Sequence, residues 1–348
     1  MLALGLMSGT SCDGIDAAII ETDGHKVTKF ICELHIPYDP LFSQKLLDVM
    51  NGKMDRNYVE HELSELHCEI IDKIIKTYSI KPDVIGFHGQ TIFHDPLKGI
   101  SIQIGNPHMI AARAGIDVVA DFRRRDMAMG GQGAPLIPIF HKAIMQDYDF
   151  PLAIVNIGGV SNATYINSDE LLGYDLGPGN AYINDAVMKF FGKIYDEDGK
   201  IAASGKVNEE FVDDFMSNPY FEIPAPKSLD RNHFKLRDMT LLSPQDAIAT
   251  LTMITAKSIA KGLSNLELQK IFICGGGVHN KTMMKHIADL APKGVEVTSL
   301  ASLGFKTDFI EAQGFAFLAA RRLKNLPSTF PSTTGVSQAT FSGVIFPS

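Results

Sequence analysis

One pattern constrains this chain more than any other: an apolar run, a turn of small polar residues and a second apolar run, written twice. Near the N-terminus it reads LALGLMSGTSCDGIDAAII, and at 152–166 it reads LAIVNIGGVSNATYI. The two turns lie about 150 residues apart, Gly9 against Gly159. Two halves that each open with strand, small-residue turn and strand point to a duplicated domain with a ligand cleft between the copies. A length of 348 residues leaves room for both. We expect one domain over 1–130 and another over 131–320, with the last helix and tail, about 320–348, returning to the first.

The rest of the chain alternates strand-like and helix-like patterns, which makes it an α/β protein. Strands are expected at Leu2–Met7, Asp16–Ile20, Val27–Ile36, Val84–His88, Ser101–Gly105, Val118–Asp121, Leu152–Ile157, Ala163–Asn167, Ile271–Cys274 and Val295–Ser299. Val59, Leu63, Leu66, Ile70, Ile74 and Tyr78 recur at three- and four-residue steps, so 57–78 reads as a helix with one buried stripe. Further helices are expected at Leu136–Asp147, Asn180–Phe191, Pro244–Leu263, after Asn280 and over Lys306–Lys324. The Ser-, Thr-, Pro- and Gly-rich tail after Pro327 reads as extended and partly disordered.

Charge and cysteine usage remove several function classes. Thirty-two basic against 40 acidic residues give a net charge of -8, and no Lys/Arg run exceeds Arg123–Arg125. A nucleic-acid or anionic-membrane surface would need a clustered basic face, so neither is expected as a partner. Cys12, Cys32, Cys68 and Cys274 have no CxxC spacing, and the histidines show no HxxxH or HxH spacing. A disulfide framework or transition-metal site is therefore not indicated, and a reducing, cytoplasmic setting fits. The first residues lack a basic leader, and no run of about 18 apolar residues exists to cross a membrane.

Several segments carry possible chemistry. In MSGTSCDGID, Gly9 and Gly14 free the backbone while Thr10, Ser11 and Asp13 supply short polar groups; consecutive amides there can hold an anion, and a plain hairpin turn explains the same residues. NIGGVSN at 156–162 is its counterpart, and no GxxxxGK[ST] motif is present. In IFICGGGVHN a strand runs into Gly275, Gly276 and Gly277, which bare a strip of backbone against which a flat ring can lie. Asp175 in GYDLGPGNAYIND ends a short strand before a Gly-Pro-Gly turn and a helix start; a carboxylate there serves as a general base or as a helix cap. HGQT at 88–91 and the arginine run of DFRRRDMAMGGQGAP are further polar clusters, the arginines suited to a carboxylate or phosphate or simply solvated. An isolated Glu311 on the last helix is exposed by default.

Taken in chain order, GLMSGTSCDGID, HGQT, DFRRRDMAMGGQGAPL, NIGGVSN, GYDLGPGNAYIND, ICGGGVHN and DFIEAQGFAFLA resemble the sugar-kinase, Hsp70 and actin superfamily, and within it the anhydro-N-acetylmuramic acid kinases. The resemblance spans residue 5 to about 320. It implies two RNase-H-like, actin-like ATPase domains with ATP in the cleft between them. It also implies hydrolytic opening of 1,6-anhydro-N-acetylmuramic acid coupled to phosphorylation of O6, in the recycling of peptidoglycan sugar. By motif, Gly9, Thr10, Ser11, Cys12, Asp13, Gly14, Ile15 and Asp16 with Gly158, Gly159, Ser161 and Asn162 would hold the phosphates. Gly275, Gly276, Gly277 and Asn280 would hold the adenosine, and Asp175 would be the base. Sugar contacts would come from Gln90, Thr91, Arg123 or Arg124, and Glu311, with an arginine facing the lactyl carboxylate. Mg²⁺ is expected on the phosphates, with Asp13 its partner through water. The resemblance also suggests a homodimer. Two other readings fit these features less fully: a kinase of another sugar in the same superfamily, and a non-catalytic actin-like ATP switch.

Overall fold

The structure is a computed structural model; residues 1–231 and 233–348 are described. The chain divides into two compact units, Met1–Asp147 with Phe309–Ser348, and Tyr148–Asp308. These junctions fall later and earlier, respectively, than the 130 and 320 expected from sequence. The reason is local: the helix Pro138–Ile144 packs on the helix Ile310–Leu323, whose own residues pack on the first sheet.

The strands in chain order are β1 (Leu2–Ser8), β2 (Gly14–Thr22), β3 (Val27–Pro37), β4 (Val84–Asp95), β5 (Ile100–Ile104), β6 (Val118–Ala120), β7 (Leu152–Ile157), β8 (Val160–Ile166), β9 (Leu171–Pro178), β10 (Lys270–Cys274), β11 (Glu296–Ser299) and β12 (Val344–Phe346). In the first unit the order is β12-β6-β4-β1-β2-β3, with β5 paired to β4. β1, β2 and β3 form an antiparallel meander, and β4 runs parallel to both β1 and β6. In the second unit the order is β11-β10-β7-β8-β9, again a meander of three followed by parallel neighbours. With β5 and the edge strand β12 set aside, both sheets have the order 3-2-1-4-5 in their own numbering, the RNase-H-like arrangement, and the repeat read from the sequence is the first hairpin of each copy.

Each sheet buries an apolar face under helices. In the first unit Leu4, Leu6, Ile15, Ile19 and Phe87 meet Leu63, Ile70 and Ile74 of the helix Asn57–Tyr78. The other face takes the helix Ile310–Leu323, which lies across β1, β2 and β4. That approach explains two strand glycines: a Cβ on Gly5 or Gly86 would overlap the backbone of Ala312 or Phe315. In the second unit Val155, Leu176 and Ile273 pack with Ile248, Leu251 and Ile259 of the helix Pro244–Leu263.

The tail departs from expectation. Instead of partial disorder it forms a short helix, Pro331–Thr334, and the strand β12, which pairs antiparallel with β6. Polar contacts fix it: the Thr334 hydroxyl donates to Asp126 Oδ2 at 2.6 Å, and the Ser337 amide to the Met129 carbonyl at 3.1 Å. The Phe341 ring lies under the guanidinium groups of Arg125 and Arg322 at 4.0 and 4.3 Å.

Candidate functional site

In the first unit the loop between β1 and β2 is a braced turn. The Cys12 amide closes it onto the Gly9 carbonyl at 3.1 Å, and Cys12 adopts a left-handed φ of 53°. Its thiol is buried, 3.5 Å from Met50 Sδ and 3.8 Å from the Thr10 carbonyl. Ser11 donates to Asp13 Oδ1 at 2.7 Å, both side chains lying toward solvent. Thr10 is half-buried, Gly14 has no room for a Cβ against the Ile36 carbonyl, and Ile15 is a core residue. Asp16 pairs with His35 Nδ1 at 2.8 Å on the neighbouring strand.

Gln90, from HGQT, is buried beneath this loop. Its Nε2 donates to the Gly9 carbonyl at 3.0 Å, and its Oε1 accepts from Ser8, which also bonds the Tyr38 hydroxyl at 2.7 Å. Its amide therefore supports the loop. Thr91 is half-buried, and its hydroxyl accepts from Gln103 Nε2 at 3.1 Å.

The arginine run separates by direction. Arg124 is exposed and ion-paired to Asp121, its Nε donating at 2.8 Å. Arg123 turns inward: Nε and Nη2 both donate to His88 Nε2, at 3.3 and 2.9 Å, and Nη1 to the Gly133 carbonyl at 2.7 Å. His88 is buried against Phe315; burial, with the Arg123 charge adding, holds its pKa well below the ordinary imidazole value. It is therefore a neutral acceptor that orients Arg123. Glu311, expected in solvent, is half-buried in the first turn of the last helix. Desolvation pushes its carboxyl up to about 7, Asp16 raising it further and Arg123 opposing. Asp16 and Arg123 are thus both within electrostatic reach of Glu311, whereas Arg124 is paired with Asp121.

In the second unit the corresponding turn is Gly158–Gly159, between β7 and β8. Its carbonyls receive the Gly179, Asn180 and Ala181 amides at 3.0, 2.7 and 3.3 Å, which docks the helix Ala181–Phe191 on the turn. Ser161 is fully buried and donates to the Gly177 or Pro178 carbonyl, so its hydroxyl belongs to the sheet. Cys274, Asn156, Asn162 and Asp175 are register partners across β10, β7, β8 and β9, forming a polar row near the carboxyl ends of the parallel strands. That is where open α/β sheets place ligands. Asn156 carries no signal in the sequence beyond its place in NIGGVSN.

The three glycines after β10 are not equivalent. Gly275 is left-handed, φ 76°, and a Cβ on it would overlap Asn156 Oδ1; a Cβ on Gly277 would come 2.5 Å from Ile157 Cβ. Gly276 alone faces open space, its nearest neighbour being Asn180 Nδ2 at 3.8 Å. Asn280 is buried and caps the helix Lys281–Leu290 by accepting from the Met283 amide at 2.9 Å.

Asp175 lies inside β9, which runs on to Pro178, and not at a strand end as the sequence suggested. It caps no helix. It is only 6% exposed, and its Oδ2 accepts from the Leu229 amide at 2.7 Å, so a neighbouring segment and not a helix dipole holds the carboxylate. Among the described residues no group of three His, Cys, Asp or Glu is placed to hold a metal, and no helix is long and apolar enough to cross a membrane.

Comparison with known proteins agrees over the whole chain. The family described as anhydro-N-acetylmuramic acid kinase matches residues 1–348. An anhydro-N-acetylmuramic acid kinase of Rhodopseudomonas palustris (strain BisB18) is 42% identical, covering 97% of each chain. Those of Rhodospirillum rubrum and Pasteurella multocida are 39% and 37% identical, over 99% and 100% of this chain and 94% and 97% of their own.

Proposed function

The chain belongs to the anhydro-N-acetylmuramic acid kinase family, and from that premise we propose that it opens the 1,6-anhydro bond of anhydro-N-acetylmuramic acid with water while moving the γ-phosphoryl group of ATP to O6. The products are N-acetylmuramate 6-phosphate and ADP, a step in recovering peptidoglycan sugar. The observation that carries the reading is Asp175: a buried carboxylate whose Oδ2 is pinned by the Leu229 amide, on the strand beside Asn162.

Chemically, Asp175 takes a proton from water as the oxygen attacks C1. The C1–O6 bond breaks on the opposite side, and the electrons left on O6 are taken up by the incoming phosphoryl group. One base therefore serves two bond changes, since the acceptor oxygen is freed by the first and needs no deprotonation of its own. The loops at 9–16 and 158–162 take the triphosphate, through those amides and hydroxyls that the turn and the sheet leave free, and the strip at Gly276 receives the adenosine. Of the arginines, Arg123 meets the lactyl carboxylate, because His88 and Gly133 aim it inward while Arg124 is paired in solvent. Glu311 and Thr91 position sugar hydroxyls. The Asp13 carboxylate is a hard oxygen donor open to solvent in the turn, which suits water-mediated contact with Mg²⁺; such an ion would supply neutralisation of phosphate charge when bound.

The test is product analysis in oxygen-18 water with ATP, Mg²⁺ and the anhydro sugar. One solvent oxygen should appear at C1 and none in the phosphate. Asp175→Asn should lower sugar-dependent ADP release by about 10²–10⁴-fold with ATP binding unchanged. A variant that turns over at the wild-type rate would remove Asp175 from the mechanism, and unlabelled C1 would remove the hydrolytic step.

A further inference from the structure

The segment that holds Asp175 is itself held by a buried lysine. The Asp175 amide donates to the Lys227 carbonyl at 2.8 Å, and its carbonyl accepts from the Tyr220 hydroxyl at 2.7 Å. Lys227 closes this ring: its Nζ donates to the Tyr220 carbonyl at 3.0 Å and sits 4.3 Å from the centroid of the Tyr220 ring. Two residues on, Leu229 donates to the Asp175 carboxylate. Lys227 is 7% exposed. Burying an ammonium is costly, and a residue that served packing alone would be apolar.

The charges around Lys227 say where its own charge acts. Burial lowers its pKa from the ordinary lysine value; Glu222 and Asp175 oppose this, and Lys261 adds to it. The Glu222 side chain is 75% exposed and already bridged to Lys261 at 3.0 Å, so solvent screens it. Asp175 is buried, and its field is screened far less.

We propose that Lys227 is a positioning residue for the base: locked under the Tyr220 ring, it fixes the segment whose Leu229 amide orients the Asp175 carboxylate, and its positive charge acts on that carboxylate through the same buried ring. The inference rests on reading Asp175 as the base. No catalytic contact with substrate is assigned to the lysine.

The test compares wild type with Lys227→Met and Lys227→Arg, measuring kcat, KM for the anhydro sugar, the pH profile of kcat, ATP affinity and the melting temperature. Losing a nearby cation disfavours the ionised carboxylate, so the acid limb of the kcat profile should move to higher pH in Lys227→Met by about one unit; separately, the loosened Leu229 amide should lower kcat at neutral pH, where the base is ionised in both proteins, by about tenfold or more. ATP affinity should not change. Lys227→Arg keeps the charge and should leave the acid limb where wild type has it. Should the methionine variant fail to fold, Lys227→Gln, which keeps a donor for the Tyr220 carbonyl without the charge, reads the same limb. A folded neutral variant whose acid limb stays in place overturns the proposal, even if kcat falls, because a purely structural role lowers activity without moving that limb. Asp175→Asn separates the two failures: if that variant keeps full turnover the base assignment is wrong, whereas an inert Asp175→Asn beside an unmoved Lys227→Met limb refutes the lysine alone.

Discussion

Gly276→Ala isolates what the free fold does not need. Most loop glycines here have a structural reason: Gly275 is left-handed and crowded by Asn156, and Gly277 lies against Ile157. A methyl forced into either place displaces packed atoms, costing about 1–3 kcal/mol. Gly276 has neither a left-handed φ nor any atom within 3.4 Å of a built Cβ. Alanine there should leave stability unchanged or raise it by about 0.4–1 kcal/mol, through the narrower unfolded ensemble. The same test singles out Gly9, whose Cβ would meet only the Ser11 hydroxyl at 3.4 Å and amide at 4.0 Å, and Gly158, with Val160 O at 3.6 Å and Asn156 Nδ2 at 4.0 Å. At least one unforced glycine thus stands in each of the three loops assigned to the nucleotide. If adenosine lies on bare backbone at 276, a methyl stands where the ring should be, and loss of even tenfold in affinity corresponds to about 1.4 kcal/mol. Calorimetric titration of Gly276→Ala with a non-hydrolysable ATP analogue, beside a thermal melt, reads both quantities. The expected result is a melting temperature at or above wild type with Kd raised about tenfold or more. A variant that binds the analogue within about twofold of wild type refutes the assignment of this strip, and one that loses stability refutes the geometric argument.

Other consequences concern the first unit. Because burial raises the Glu311 carboxyl from 4.5 to about 7, its stabilising contribution is complete below about pH 4.5 and is lost as pH rises through about 7. Glu311→Gln lacks that dependence, so denaturant unfolding should show the variant gaining on wild type by about 2 kcal/mol between about pH 5 and about pH 8; a pH-independent difference would sink the assignment. Thr334→Val removes a donor from the fully buried Asp126, whose other oxygen takes the Gly133 amide, and should cost about 1–3 kcal/mol. Since Gly133 also receives Arg123, the same variant should raise KM for the sugar more than Kd for ATP, and equal changes in both would refute the link.

What the sequence disclosed follows from how local its signals are. The helices Asn57–Tyr78 and Pro244–Leu263 announced themselves because a long amphipathic stripe needs no tertiary context. Three shorter ones, Pro40–Met50, Pro107–Ala114 and Glu209–Met216, carry no stripe of that length, and their local signal is a capping residue, Asp39, Asn106 or Asn208, whose side chain takes a first-turn amide. The tail looked disordered because its order lies in partners more than a hundred residues away: Asp126, Arg125 and the edge of β6. The loops were legible as small-residue grammar. Which glycine faces open space was not, because Gly275, Gly276 and Gly277 differ only in what Asn156 and Ile157 place beneath them. The choice between Arg123 and Arg124 required His88 as an acceptor on the next strand. Lys227 gave no signal at all, standing in an aperiodic segment far along the chain from Asp175, yet the ring through Tyr220 joins them. A motif therefore reports the groups that meet a ligand, while the groups that aim them are set by the fold. For this chain the aiming residues, His88 and Lys227, are the places where substitution should alter specificity or pH dependence without altering the motif.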